Sequence, residues 1–415
     1  MIRIFLIILT LFLSMGFTNA GDTKKINLFR TGLDNLLDHN LDKIRGKEIA
    51  LVTNQSGVDK KGIPNYQRLM AIDEVHLKRI FSPEHGLFGE AAAGEKVNYS
   101  ESLNDLPEVI SLYGKIKKPS FKMLQGISCI IYDIQDVGAR FYTYITTLGL
   151  VMEAAGENGI PVLVLDRPNP LGGEKIEGPI LDLNYKSFVG YYPIPIRYGM
   201  TIGELAKMIV GEHWIKTIPE LDVIEMTGWD RSMYFDDTNL PWINPSPNIP
   251  DLETAIIYPG MCMVEGTNIS EGRGTNHPFK FIGAPWMVEE VCMDLQGMKK
   301  LKGVKFKKLK FRPSPIKGVT NIPKYNGESC TGFEVRVNNR DEYNSVLVGI
   351  QALYTARNLV PWRIQLKQGH LNRLWGNEEL TQVLNDKLAL KELLTTLDKD
   401  KATFLQKRQP YLIYK

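Results

Sequence analysis

Cysteine is scarce in this chain of 415 residues: Cys129, Cys262, Cys292 and Cys330 stand far apart. A disulfide scaffold or a structural zinc site needs close pairs, so neither is expected. An excess of one charge is also missing. The 50 basic and 47 acidic side chains are interspersed and leave a formal charge of +3, which gives no electrostatic footprint for nucleic acid. Beyond the first twenty residues no run approaches the roughly eighteen apolar residues of a membrane helix. Several motifs are absent too: no Walker A loop, no G-x-S-x-G elbow, no G-x-G-x-x-G after the first strand, no H-E-x-x-H and no C-x-x-C. Nucleotide cofactors, serine nucleophiles and zinc-held water therefore lose their usual signatures, and the reading requires neither cofactor nor metal.

What is present describes an exported globular protein. Arg3, the apolar run from Ile4 to Leu13 and the small or polar Thr18-Asn19-Ala20 form a signal peptide over residues 1–20; the mature chain is expected in the periplasm or secreted, without stable membrane insertion. With 43% hydrophobic and 23% charged residues, the remainder has enough apolar surface to offset the entropy of ordering. Its length favours two domains.

Short β-branched runs from Glu48 to Val52, Val75 to Phe81, Ile127 to Tyr132 and Pro161 to Leu165 alternate with helical patterns such as Tyr144 to Glu157. This rhythm predicts an α/β fold, a Rossmann-like, largely parallel sheet over residues 25–252. A helix from Thr201 to Val210 opens with a capping box, Thr201 and Glu204, and a strand follows at Leu221 to Met226. The proline-rich stretch from Trp242 to Pro250 can be neither helix nor interior strand, and marks the boundary. Residues 253–415 read as a smaller α+β domain, with strands at Val304 to Phe311 and Thr331 to Val337 and helices at Tyr343 to Asn358 and Leu380 to Leu394.

Parallel sheets bind ligands beyond the carboxyl ends of their strands, and each predicted strand end runs into a polar string. The first supplies Asn54 and Gln55, the second Glu84, His85 and Glu90, the third Asp133, Asp136, Arg140 and Tyr142, and the fourth Asp166, Arg167 and Asn169. After the boundary, Tyr258-Pro259-Gly260 and the glycine-rich string holding Glu265, Asn268, Glu271 and Arg273 describe a second ligand-facing loop. Carboxylates, amides, arginines and aromatics are the residue types that bind and cleave glycosides. Glu84 is the sharpest candidate: Pro83 fixes it, glycines flank it, and Phe81, Leu87 and Phe88 are expected to hold its proton in an apolar setting. His85 and Asp136 complete the candidate catalytic set.

The strings SPEHGLFGE, DIQDVGARFYTY, LDRPNPLGG, IRYGMTIGELA, PSPNIP and EGTNISEGRGT, in that order across the mature chain, resemble the bacterial exo-β-N-acetylmuramidases of the NamZ type. The resemblance implies a Rossmann-like catalytic domain, a smaller auxiliary domain and a site near their junction. It implies release of terminal β-1,4-linked N-acetylmuramic acid (MurNAc) from the non-reducing end of MurNAc-GlcNAc saccharides of peptidoglycan, with Glu84 as principal catalytic carboxylate. The second carboxylate stays open among Asp136, Glu177, Glu265 and Glu271. The lactyl carboxylate of MurNAc calls for a cation from Arg140, Arg167 or Arg273, and its ring for an aromatic face from Tyr142, Tyr144 or Trp242. The alternative is an exported sugar-binding protein without catalysis.

Overall fold

The computed structural model describes residues 29–92, 94–97, 99 and 105–415; the expected signal peptide, residues 1–20, lies outside them. Six strands, β1 (Glu48–Thr53), β2 (His76–Ser82), β3 (Glu108–Ser111), β4 (Cys129–Asp133), β5 (Val162–Leu165) and β6 (Leu221–Ile224), form a sheet in the order β3-β2-β1-β4-β5-β6. Every pairing is parallel. This is a Rossmann strand order, and the sheet is parallel as the alternating rhythm predicts. Along β1, Ile49 and Leu51 enter one apolar cluster while Ala50 and Val52 enter the other. Both faces are thus buried, which is why these strands read as unbroken apolar runs.

Helices α1 (Gly32–His39) and α2 (Asn65–Met70) cover the first face through Leu33, Leu36, Tyr66 and Leu69. Helices α3 (Phe121–Leu124), α4 (Tyr144–Glu157) and α5 (Ile202–Gly211) bring Leu124, Leu148 and Leu205 into the second cluster. The capping box of α5 forms as expected, with Thr201 accepting from the Glu204 N–H and the Glu204 carboxylate accepting from the Thr201 N–H.

The rest of the chain comprises α6 (Leu252–Met261), β7 (Phe281–Ala284), α7 (Glu290–Gly297), β8 (Val304–Phe311), β9 (Cys330–Val337), α8 (Ser345–Leu359), α9 (Gln368–Trp375), α10 (Glu379–Leu384) and α11 (Leu390–Arg408). The three strands form an antiparallel sheet in the order β7-β9-β8. The smaller α+β half is therefore as expected, with two corrections. The helix expected from Leu380 to Leu394 is broken at Asp386, whose φ of 57° is left-handed and ends the first piece. Tyr258-Pro259-Gly260, expected in a loop, lies in α6. Pro259 lacks the helical N–H, but Ser345 bridges nearby: its Oγ accepts from the Gly260 N–H at 2.8 Å and donates to the Ile257 carbonyl at 2.9 Å. Burial of every residue from Thr254 to Met261 overrides the proline.

The cluster on the α4 and α5 face continues without interruption into α6, α8 and β9. The two sheets therefore share apolar packing, and the site lies where they meet.

Candidate active site

In a Rossmann sheet the ligand crevice opens at the switch point, here between β1 and β4. The chain fills that crevice with its own polar side chains. Arg167 donates to both Asp133 oxygens, at 2.5 and 2.9 Å, and to the Val58 carbonyl; Asn65 adds a bond of 2.8 Å to Asp133. Asn54 donates to the Tyr144 hydroxyl at 2.8 Å and accepts from Ser56. These groups are buried, so Asn54, Asp133 and Arg167, expected as substrate ligands, instead tie strand ends together.

Other expected ligands are likewise engaged elsewhere. The Arg140 guanidinium donates to the carbonyls of Pro179, Ile194, Leu374 and Trp375; it staples α9 to the sheet domain and cannot also meet a lactyl carboxylate. Glu177 is buried against Arg197 at 2.8 Å. Asp166 accepts from Thr201, Gly203 and Tyr414, and burial still pushes its carboxyl up to about 7. Asn169 braces its own loop through Met200 and Leu171, and Asn268 ties Arg363 and Gln365. Asp136 accepts from Gly138 and Tyr198; burial pushes it up to about 6, yet it does not line the cavity described next. Nor do Tyr144 and Trp242, which spend their polar atoms on the Pro245 and Ile249 carbonyls.

The cavity lies beside the crevice, displaced toward the smaller half. Its volume is about 130 Å³. The loop after β2 contributes Glu84 and His85, the start of α4 Phe141, Tyr142 and Thr143, and the proline-rich stretch Ser246 and Asn248. The far wall is Tyr258 on α6, Glu265 and Arg273 on the glycine-rich loop, Phe279, and His370 on α9. Of the expected site residues, Glu84, His85, Tyr142, Glu265 and Arg273 thus come together.

Glu84 is held differently from expectation. Phe81 and Leu87 are buried in separate apolar clusters, and Phe88 is 44% exposed. The carboxyl oxygens instead accept from the Thr143 hydroxyl at 2.8 Å and the Gly94 N–H at 3.0 Å. Half-buried Tyr113 also approaches: burial first, and then the charge of Glu84, raises its phenol above the ordinary value. His85 adopts a left-handed φ of 71°, a strained state for a non-glycine residue of the kind that gathers at functional sites. Its Nδ1 lies 2.8 Å from the Ala91 carbonyl. A carbonyl can only accept, so Nδ1 carries the proton and Nε2 keeps a lone pair. Burial pushes the imidazole below its ordinary value, which keeps it neutral near pH 7.

Across the cavity, the Nε and Nη2 atoms of Arg273 donate to one Glu265 oxygen at 3.2 and 2.8 Å. Nη1 has no protein acceptor among the described residues. Burial alone would raise the Glu265 carboxyl; Arg273, with His370 at 3.8 Å, holds it well below the usual range instead. Glu271 sits behind, 3.7 Å from Arg273 and 2.8 Å from Lys324. Arg273 also lies over the Phe279 ring at 5.0 Å, and Phe279 stacks edge-on with Tyr258 at 4.8 Å. Thr143 and His370 were not among the expected site residues, whereas Tyr258, expected in a ligand-facing loop, reaches the cavity on a helix. Thr143 stood within the string after the third strand, whereas His370 belongs to no motif that would single it out.

Ring faces, an amide and a pair of carboxylates around one cavity are the side-chain set of a carbohydrate-active α/β protein. The family whose profiles match it is described as exo-beta-N-acetylmuramidase NamZ: its N-terminal part matches residues 49–253 and its C-terminal part residues 256–414. The chain belongs to this family. The peptidoglycan beta-N-acetylmuramidase NamZ of Bacillus subtilis (strain 168) is 41% identical over 398 residues, covering 95% of this chain and 94% of the relative. Two crystal structures of DUF1343 family proteins from Bacteroides fragilis share the fold. One is 32% identical with a TM-score of 0.85, covering 94% of this chain and 100% of that one. The other is 30% identical with a TM-score of 0.77, covering 93% and 99%.

Proposed function

We propose that this protein is an exo-acting glycoside hydrolase that releases terminal β-1,4-linked MurNAc from the non-reducing end of peptidoglycan fragments, with Glu84 as its catalytic carboxyl group. The observation that carries the assignment is the placement of Glu84 on the wall of the junction cavity, both oxygens oriented by Thr143 and Gly94. Glu84 gives a proton to the bridging oxygen as the bond from C1 breaks, and the electron pair of that bond stays on the leaving sugar. Water supplies a hydroxyl to C1, and its remaining proton restores the acid. Glu265, kept ionised by Arg273, faces the positive charge that develops at C1. The Nη1 of Arg273, with His370 beside it, meets the lactyl carboxylate. Tyr142 and Tyr258 supply ring faces to the sugar.

The same reading makes residues 1–20 a signal peptide, places the mature protein in the periplasm or outside the cell, and divides it into a catalytic domain, residues 25–252, and an auxiliary domain, residues 253–415, that completes the site. The family's two profiles part between residues 253 and 256, which supports that division.

Turnover of a chromogenic β-muramide by the mature protein and by Glu84→Gln tests the assignment. A loss of about a hundredfold or more is expected from removing a positioned proton donor. Equal rates remove Glu84 from the chemistry, and tight binding of MurNAc with no turnover by the wild type would make the protein a receptor.

A further inference from the structure

A second, more open cavity, of about 390 Å³, shares two walls with the active site. The loop after β2 gives Glu84 and His85 to the first cavity and Phe88, Gly89 and Glu90 to the second. The proline-rich stretch gives Ser246 and Asn248 to the first, Asn244 and Pro247 to the second. Gln55 clamps this partition, its Nε2 donating to the Asn244 carbonyl at 2.8 Å and the Pro245 carbonyl at 3.2 Å. Gln55 and Glu90, expected as substrate ligands, thus belong to the neighbouring groove. Leu87 is buried whereas Phe88 beside it stands 44% exposed, so this loop spends an aromatic ring on the groove when the core next to it takes its neighbour. Glu90 and Lys317 are both exposed at its edge, one of each sign. The groove therefore offers a ring face and hydrogen-bonding groups without net charge, which suits a neutral pyranose and disfavours an ionic ligand.

We infer that this groove is the binding site for the sugar on the leaving-group side of the scissile bond, a neutral N-acetylhexosamine held against Phe88. The inference rests on the hydrolase reading above and extends it to a second sugar unit. On this account the partition between the two cavities lies under the bond to be cleaved, and binding in the groove aligns the bridging oxygen with Glu84.

The test compares two substrates: the disaccharide in which MurNAc is β-1,4-linked to N-acetylglucosamine, and β-N-acetylmuramyl fluoride, whose leaving group is a single atom with nothing to place in the groove. In Phe88→Ala, kcat/KM for the disaccharide should fall about tenfold further than kcat/KM for the fluoride, as loss of one stacked ring implies. Phe121→Ala, which removes a ring 70% exposed on α3, is the control and should leave the ratio of the two substrates unchanged. Equal losses on both substrates in Phe88→Ala, or no loss on either, overturn the groove assignment while the hydrolase reading stands. A wild-type protein that turns over neither substrate defeats the hydrolase reading, and this inference with it.

Discussion

On the proposed function Arg273 is the arginine left to meet the carboxylate of the sugar, because Arg140 and Arg167 are consumed by buried partners. Arg273→Lys keeps the charge but loses the planar fork. It should raise KM for muramides about tenfold, at a cost near 1.4 kcal/mol, while the corresponding glucosaminide, which has no lactyl group, gains relative to them. An unchanged preference between the two would move carboxylate recognition elsewhere. Asp166 carries a different consequence. Its folded-state pKa, about 7, lies above the ordinary aspartate value near 3.9, so the folded state holds a proton that the unfolded chain releases. That contribution is complete below the unfolded value and is lost as pH rises through 7. Asp166→Asn should therefore gain in melting temperature on the wild type between pH 5 and pH 8; parallel curves would refute the buried proton. At this scale the sequence was legible in residue type and misleading in residue role. Asp133, Arg167 and Glu177 look like ligands for the same reason that they pair with other parts of the chain: charge and hydrogen-bonding capacity serve a substrate and a strand end equally, and only the fold decides which is near.

Helix α6 delivers Tyr258 to the cavity and leads directly into the turn that carries Glu265. Its position depends on a close crossing with α8. A methyl group on Gly349 would come within 2.3 Å of the Gly260 carbonyl oxygen, and one on Gly260 within 1.9 Å of the Ser345 carbonyl oxygen. Gly349→Ala should part the helices, cost about 1–3 kcal/mol by overpacking and lower kcat through displacement of Tyr258 and Glu265. Denaturant titration and muramide turnover would read the two effects; a variant with normal stability would show that the crossing has slack. The legibility of elements followed the strength of local pattern. β1, β4 and α4 were visible because unbroken apolar runs and a long helical period express burial directly. β3 and β7 carry only two large apolar side chains each, too few to show a pattern, whereas the equally short β5 and β6 carry a fuller one; α6 was hidden by Pro259, whose local cost is overridden by contacts with α8 distant in sequence. The cavity was half legible for the same reason: Glu84 and His85 sit in one dense string, whereas His370 arrives on a separate helix.

At the scale of the molecule, one apolar cluster runs from the parallel sheet through α6 and α8 to the antiparallel sheet. The two halves should melt together, as a single calorimetric transition whose van't Hoff and calorimetric enthalpies agree; two resolved transitions would show that the halves are independent. The final residues add a second tie. Arg408 donates to the Gly173 and Gly199 carbonyls, the Ile413 N–H to Glu204, and the Tyr414 hydroxyl to Asp166 at 2.7 Å. Tyr414→Phe should cost about 1–3 kcal/mol, the usual loss on stripping a buried acceptor of one donor, measurable by urea denaturation; a variant as stable as the wild type would make this contact incidental. Tyr414 lies 248 positions beyond the aspartate it covers. A nascent chain emerging from the ribosome therefore carries the parallel sheet with that carboxyl still uncovered until residue 414 has been translated, and the sheet cannot settle into its finished structure before then.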